Sequence, residues 1–131
     1  MDDDTKNHSQ FLLMCHLIVV CKYRKKWLIS LGNDVKQIRH DIANRYHFKI
    51  VEVEVDQDHI HLLIQYEPKM SILEIVRLLK QMTTFHIWKQ HETYLSKHFW
   101  KERTFWSDGY FACSIGNVSK EIIQKYIQEQ G

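Results

Sequence analysis

Residues 49–66, KIVEVEVDQDHIHLLIQY, constrain the fold of this chain more than any other stretch. In Lys49–Val55, Val51, Val53 and Val55 alternate with Glu52 and Glu54, the period of a strand with one buried face. Asp56-Gln57-Asp58 is a polar turn, and His59–Tyr66 is a second β-prone run, so the two should pair as an antiparallel hairpin. A hairpin alone is marginal in water and needs further strands or a helical layer to close one face.

The flanking sequence supplies both. Phe11–Val20 is a nearly continuous apolar run that reads as a buried strand, followed by a basic turn at Lys22-Tyr23-Arg24-Lys25-Lys26. From Asn33, a possible N-cap, Val35, Ile38, Ile42 and Tyr46 recur at helical spacing, which predicts a helix over 34–47 with Lys36, Arg39 and Arg45 outward. After Pro68, Ser71 and Glu74 form a capping box for a helix running to about Trp88. Residues 90–108 are aromatic and basic without a clear period. Tyr110–Ile115, bounded by Gly109 and Gly116, is a candidate fourth strand, and Ser119 can cap a last helix over 120–130. No repeat or linker interrupts residues 1–131, so a single domain is expected. The order β-α-β-β-α-β plus a terminal helix predicts an α+β, ferredoxin-like fold: a four-stranded antiparallel sheet with two helices on one face.

Composition narrows the chemistry. Four glycines, at 32, 109, 116 and 131, exclude the dinucleotide fingerprint and the P-loop, so no nucleotide cofactor is expected. Three scattered cysteines, a polar N-terminus and the lack of any apolar run of bilayer length predict a protein of the reducing cytoplasm with no membrane association. Charge is segregated. Residues 22–50 carry eight Lys or Arg against two Asp, residues 51–68 carry five acids and no Lys or Arg, and residues 69–106 carry seven basic against three acidic residues. Two basic segments flanking an acidic one suit a polyanion held around a cation or proton-transfer site, and equally suit solvated helix faces.

Two constellations carry possible chemistry. His59 and His61, at i and i+2 of a strand, project to one face and can chelate one metal, or can be two polar residues facing solvent. Tyr126 and Gln130 lie one turn apart on the last helix, where a phenol can attack phosphorus and a carboxamide oxygen can ligate a hard cation, or the two can simply pack.

Taken together, Asp58-His59-Ile60-His61-Leu62, Lys22-Tyr23-Arg24, Phe105-Trp106-Ser107 and Ile122-Ile123-Gln124-Lys125-Tyr126-Ile127 resemble the single-tyrosine HUH transposases (TnpA) of small bacterial and archaeal insertion sequences, over roughly residues 10–130 in matching order. The resemblance implies a metal-dependent transposase that cleaves and rejoins single-stranded DNA at element ends through a 5′-phosphotyrosine intermediate and recognises DNA hairpins. It implies Tyr126 as nucleophile on a C-terminal catalytic helix, and His59, His61 and Gln130 as ligands of Mg²⁺ or Mn²⁺. It also implies a homodimer, in a prokaryotic cytoplasm and associated with the nucleoid; the terminal helix can pack on its own sheet or cross to its neighbour, and the resemblance favours the crossing, in which sites combine His59 and His61 of one subunit with Tyr126 and Gln130 of the other. Lys22, Arg24, Lys25, Lys26, Arg39, Arg45, Lys80 and Lys89 are the candidate phosphate contacts, with Trp100, Phe105 and Trp106 available to stack bases. The alternatives are a non-catalytic RNA- or single-strand-binding module of the same fold, and a related HUH nickase or domesticated transposase-like protein.

Overall fold

A computed structural model describes residues 13–42, 45–99, 101–114 and 120–129. Strands β1 (Leu13–Val20), β2 (Phe48–Val55), β3 (His59–Tyr66) and β4 (Phe111–Ser114) form one antiparallel sheet in the order β2-β3-β1-β4. The helices are α1 (Leu28–Lys36), α2 (Ile38–Ile42), α3 (Ile72–Ser96) and α4 (Lys120–Glu129), with a 3₁₀ turn at Lys22–Arg24. This is the expected ferredoxin-like arrangement. The apolar first strand, read as buried, lies in the centre; β2 and β4 are the edges.

Burial explains the centre. Cys15, Leu17 and Val19 of β1 and Ile60, Leu62 and Ile64 of β3 all lie at 4% exposure or less in the core beneath the helices. Ile18 and Val20, pointing to the other face, are fully buried as well, which suits an inner strand covered on both sides. In β2 the pairing with β3 jumps from Ile50–Ile64 to Glu52–Leu63. The extra residue, Val51, is a bulge that lets Phe48 and Ile50 share the core face with Val53 and Val55 although their numbers differ in parity. Glu52 and Glu54 are thereby turned to the opposite face.

The helical layer departs from expectation. In place of one helix over 34–47 there are two, broken at Gln37, and the first starts at Leu28. The buried stripe is Leu28, Leu31, Val35, Ile38 and Ile42, a helical period that begins well before Asn33. Asn33 reads as an N-cap, yet it lies inside α1 next to Gly32, where the helix crosses β2 closely. A Cβ at Gly32 would meet Val55 Cγ1 at 2.9 Å. Arg45 and Tyr46 fall beyond α2 in the turn leading to β2.

Helix α3 begins at the expected capping box and continues past Trp88 to Ser96, with a kink at His91 (φ −130°, ψ 33°). His91 Nε2 lies 2.7 Å from Asp34 Oδ2 and His86 Nε2 lies 3.5 Å from Asp41 Oδ2, so two His–Asp contacts tie α3 to α1 and α2. The segment leading to β4 is pinned on both sides. Lys22 N–H donates to Phe105 O and Ser107 N–H to Val20 O, while Trp106 Nε1 donates to Thr83 Oγ1 on α3. Among the described residues no helix is long and apolar enough to cross a membrane.

Candidate active site on the open face of the sheet

The antiparallel register lines up side chains across the sheet face opposite α1–α3. One row runs Glu54, His61, Ile18 and Phe111; the next runs Glu52, Leu63, His16 and Cys113. His59, two residues before His61, shares this face beside Val20. The ring of Tyr126 packs on that of Phe111 at 5.7 Å between centroids. Tyr126 of α4 therefore packs against this face at the edge strand β4, on the same side of the sheet as both histidines. Phe111 and His61 are two strand spacings apart, about 10 Å.

A carboxylate stands on the Nδ1 side of each imidazole, within hydrogen-bond distance at His59 and beyond it at His61. His59 Nδ1 lies 3.0 Å from Asp58 Oδ1, so His59 donates from Nδ1 and leaves the Nε2 lone pair free. Asp58 is itself placed by Arg24, whose Nε is 3.6 Å from Oδ2, and its carbonyl accepts from Cys21 N–H. Tyr23 and Arg24 adopt left-handed φ of 59° and 54°, a conformation costing about 1–2 kcal/mol per residue that persists because the flanking hydrogen bonds fix the turn. His61 Nδ1 lies 4.0 Å from Glu54 Oε1, and its Nε2 lies 2.9 Å from Nδ1 of His16. Burial, and secondarily the neighbouring His16, hold the His61 pKa below the ordinary imidazole value, which keeps the ring neutral. Burial pushes the Tyr126 hydroxyl up to about 12, and this oxygen is buried without a hydrogen-bond partner among the described residues.

A cleft of about 460 Å³ opens beside the histidines, lined by Lys36, Glu54, Asp56, His59 and His61 together with Val53 and Val55. Two imidazoles on one strand face, with the Nε2 of His59 free and that of His61 in contact with His16, form a donor pair suited to a divalent cation. Among the described residues no group of three or more His, Cys, Asp and Glu completes such a site. The expected third ligand, Gln130, lies outside the described residues.

The basic residues do not converge on one surface. Lys22 and Arg24 stand next to the histidine end of the sheet, with Lys22 3.9 Å from Glu102 and the exposed Lys25 and Lys26 following. Arg39 is exposed on α2, and Arg45 donates to Asp41 O and lies over the Tyr46 ring. Lys89 lies over the exposed ring of Phe85 on α3. Lys80 is placed as a structural pin: its Nζ donates to the carbonyls of Ser107, Asp108 and Gly109 at 2.8, 3.0 and 2.9 Å, which commits all three of its protons to the loop before β4. The stacking role expected of Phe105 and Trp106 is not open to them, since both are buried, at 0% and 5% exposure, and Trp100 lies outside the described residues.

Sequence reasoning missed His16 and Glu54. The signal for His16 was its place in FLLMCHLIVV, where a lone polar side chain on an inner strand needs a partner. Glu54 was read only as the outward half of an alternation.

The family model described as "Transposase IS200 like" matches residues 9–130. The transposase for insertion sequence element IS200 of Salmonella typhimurium is 28% identical over 130 residues, covering 98% of this chain and 84% of that protein. The ISDra2 transposase TnpA of Deinococcus radiodurans is 29% identical over 121 residues, 92% of this chain and 85% of that one. A crystal structure of a candidate transposase from Deinococcus radiodurans superposes with a TM-score of 0.80 at 28% identity, covering 92% of each chain. A REP-associated tyrosine transposase bound to a REP hairpin shares the fold, with a TM-score of 0.55 at 14% identity over 88% of this chain and 62% of that one. With strand order, histidine pair and terminal tyrosine helix in place, the match across nearly the whole sequence makes this chain a member of the IS200-like family of single-tyrosine transposases.

Proposed function

We propose that the chain cleaves and rejoins single-stranded DNA at the ends of an insertion sequence, with Tyr126 as nucleophile and His59 and His61 as ligands of a divalent cation. The observation that carries this reading is the cross-strand row from His61 through Ile18 to Phe111, on which Tyr126 packs. The phenolic oxygen forms a bond to the scissile phosphorus and the bond to the 3′ oxygen breaks. A 5′-phosphotyrosine and a free 3′-hydroxyl result, the phenolic proton passing through solvent to the departing oxygen. Attack by a 3′-hydroxyl on the phosphotyrosine reverses the step, so no nucleotide is consumed. Mg²⁺ or Mn²⁺ held by His59, His61 and Gln130 would supply Lewis-acid charge at a non-bridging oxygen. Asp58 orients the His59 ring through its hydrogen bond to Nδ1, Glu54 places negative charge 4.0 Å from His61 Nδ1, and burial keeps His61 neutral as a ligand must be.

Hairpin recognition rests on the likeness to the hairpin-bound transposase and on a groove of about 860 Å³ between α3 and residues 103–110. Arg77, Lys89 and Arg103 there offer charge for phosphates, and Phe85 and Tyr110 offer ring faces for unpaired bases. The free edges β2 and β4 leave room for a two-fold dimer; Tyr126 packs on Phe111 of its own chain, so each site would be completed within one subunit in this arrangement, and a crossed site would require α4 to leave that seat for the partner. The test is cleavage of labelled single strands carrying the element ends. Cleavage should require Mg²⁺ or Mn²⁺ and stop in EDTA; full cleavage in EDTA would remove the cation from the reading.

A further inference from the structure

We infer that His16 is a positioning residue: in the metal-free chain it caps the nitrogen of His61 that a cation must use, and it gives up that nitrogen when the cation binds. The inference rests on the proposed metal role of His59 and His61 and concerns how that site is held ready.

Three placements lead to it. His16 lies on β1, on the same sheet face as His61, in the row adjacent to it and on the side away from His59. Its Nδ1 is 2.9 Å from His61 Nε2, with the rings 5.0 Å apart and tilted by 49°. A contact of that length between two imidazoles is a hydrogen bond, so one nitrogen carries the proton and the other offers its lone pair. The Glu54 carboxylate, 4.0 Å from His61 Nδ1 and beyond hydrogen-bond reach, places negative charge on that side of the ring; in the tautomer this charge favours, Nδ1 of His61 carries the proton, its Nε2 accepts and Nδ1–H of His16 donates.

The two histidines of the motif are therefore not equivalent. His59 has a carboxylate on Nδ1 and a free Nε2, whereas the Nε2 of His61 is already engaged. One lone pair cannot serve both a donor proton and a metal ion. In the row arrangement His16 sits one step beyond His61, four strand positions from His59 by register, so it is placed to hold His61 and not to join His59 around one ion. Its contact fixes the ring and its tautomer before metal arrives, at the cost of a hydrogen bond that binding must break.

Mn²⁺ titration by calorimetry and by electron paramagnetic resonance reads this without any DNA. His16→Phe, which keeps a ring but no donor, should bind Mn²⁺ about twofold to tenfold more tightly than wild type, the range expected when one competing hydrogen bond is removed. His16→Asn, which restores a donor, should return to within about twofold of wild type. Binding by His16→Phe that is unchanged or weaker overturns the inference, since a ligand or a purely structural residue gives those results. Loss of binding in His59→Ala tests the underlying metal reading separately. No Mn²⁺ binding by wild type, or binding untouched by His59→Ala, defeats that reading and this inference with it. Should His16→Phe fail to fold, two-bond ¹H–¹⁵N spectra of the metal-free wild type decide. They should show His61 protonated at Nδ1 with Nε2 accepting, and a change at His16 Nδ1 when Mg²⁺ is added; protonation of His61 at Nε2 contradicts the proposal.

Discussion

The two faces of the sheet are built from the same strands to opposite ends. Toward α1–α3, β3 presents Ile60, Leu62 and Ile64 at 3% exposure or less. On the opposite face the same strand presents His59, His61, Leu63 and Gln65, all half-buried. A strand's period of two lets one eight-residue segment secure the core and carry the proposed metal ligands, so that a change at one residue is expected to load either stability or function but seldom both.

That division can be broken from either side. The largest effect is expected at His59→Ala or His61→Ala, which should lower single-strand cleavage about a thousandfold or more, the scale of losing a Lewis acid, while thermal stability and hairpin binding survive. Cleavage assays beside melting curves check it; a collapse of the fold would mean that the open face is structural as well. Next, Leu62→Ala on the core face should cost about 2–5 kcal/mol in urea unfolding. Leu63→Ala, one residue along and facing the other way, should cost under about 1 kcal/mol. Equal costs would erase the distinction between the faces. Gly32→Val sharpens the helical side, because added bulk against Val55 should destabilise by about 1–3 kcal/mol.

A smaller and graded effect comes from pH. With the Tyr126 hydroxyl held at about 12 by burial, the phenolate fraction should grow roughly tenfold per pH unit below that value, and adduct formation should climb with it. The sign for stability follows from the same shift: the contribution is complete below the ordinary tyrosine pKa and is lost as pH rises through about 12. A rate that levels off near neutral pH would mean that DNA draws Tyr126 out of its buried seat before attack.

The hairpin and its histidines were legible because alternation and turn chemistry are local, and β3 runs over His59–Tyr66 as its sequence reads. The capping box at Ser71 and Glu74 was legible for the same reason. Helix α1 was not, since Asn33 imitates an N-cap, and the approach of Val55 from a distant strand is what explains the glycine at 32. His16 was missed because its meaning lies in a partner 45 residues away. Lys80 looked like a phosphate contact until three carbonyls of a loop some 27–29 residues on claimed its protons. In each miss, a long-range contact supplied what local pattern could not.

The central claim, that Tyr126 on the face of His59 and His61 is the nucleophile, is tested most directly by mapping the covalent adduct. Wild-type protein would be incubated with Mg²⁺ and single-stranded DNA carrying its element's ends, then digested with trypsin and nuclease and read by mass spectrometry. Cleavage after Lys125 isolates a peptide beginning at Tyr126 that contains no other tyrosine. A nucleotide mass on that peptide, absent in Tyr126→Phe, is the predicted result. A nucleotide on Tyr23, Tyr46, Tyr66, Tyr94 or Tyr110, or strand cleavage with no protein-linked nucleotide at all, would contradict it.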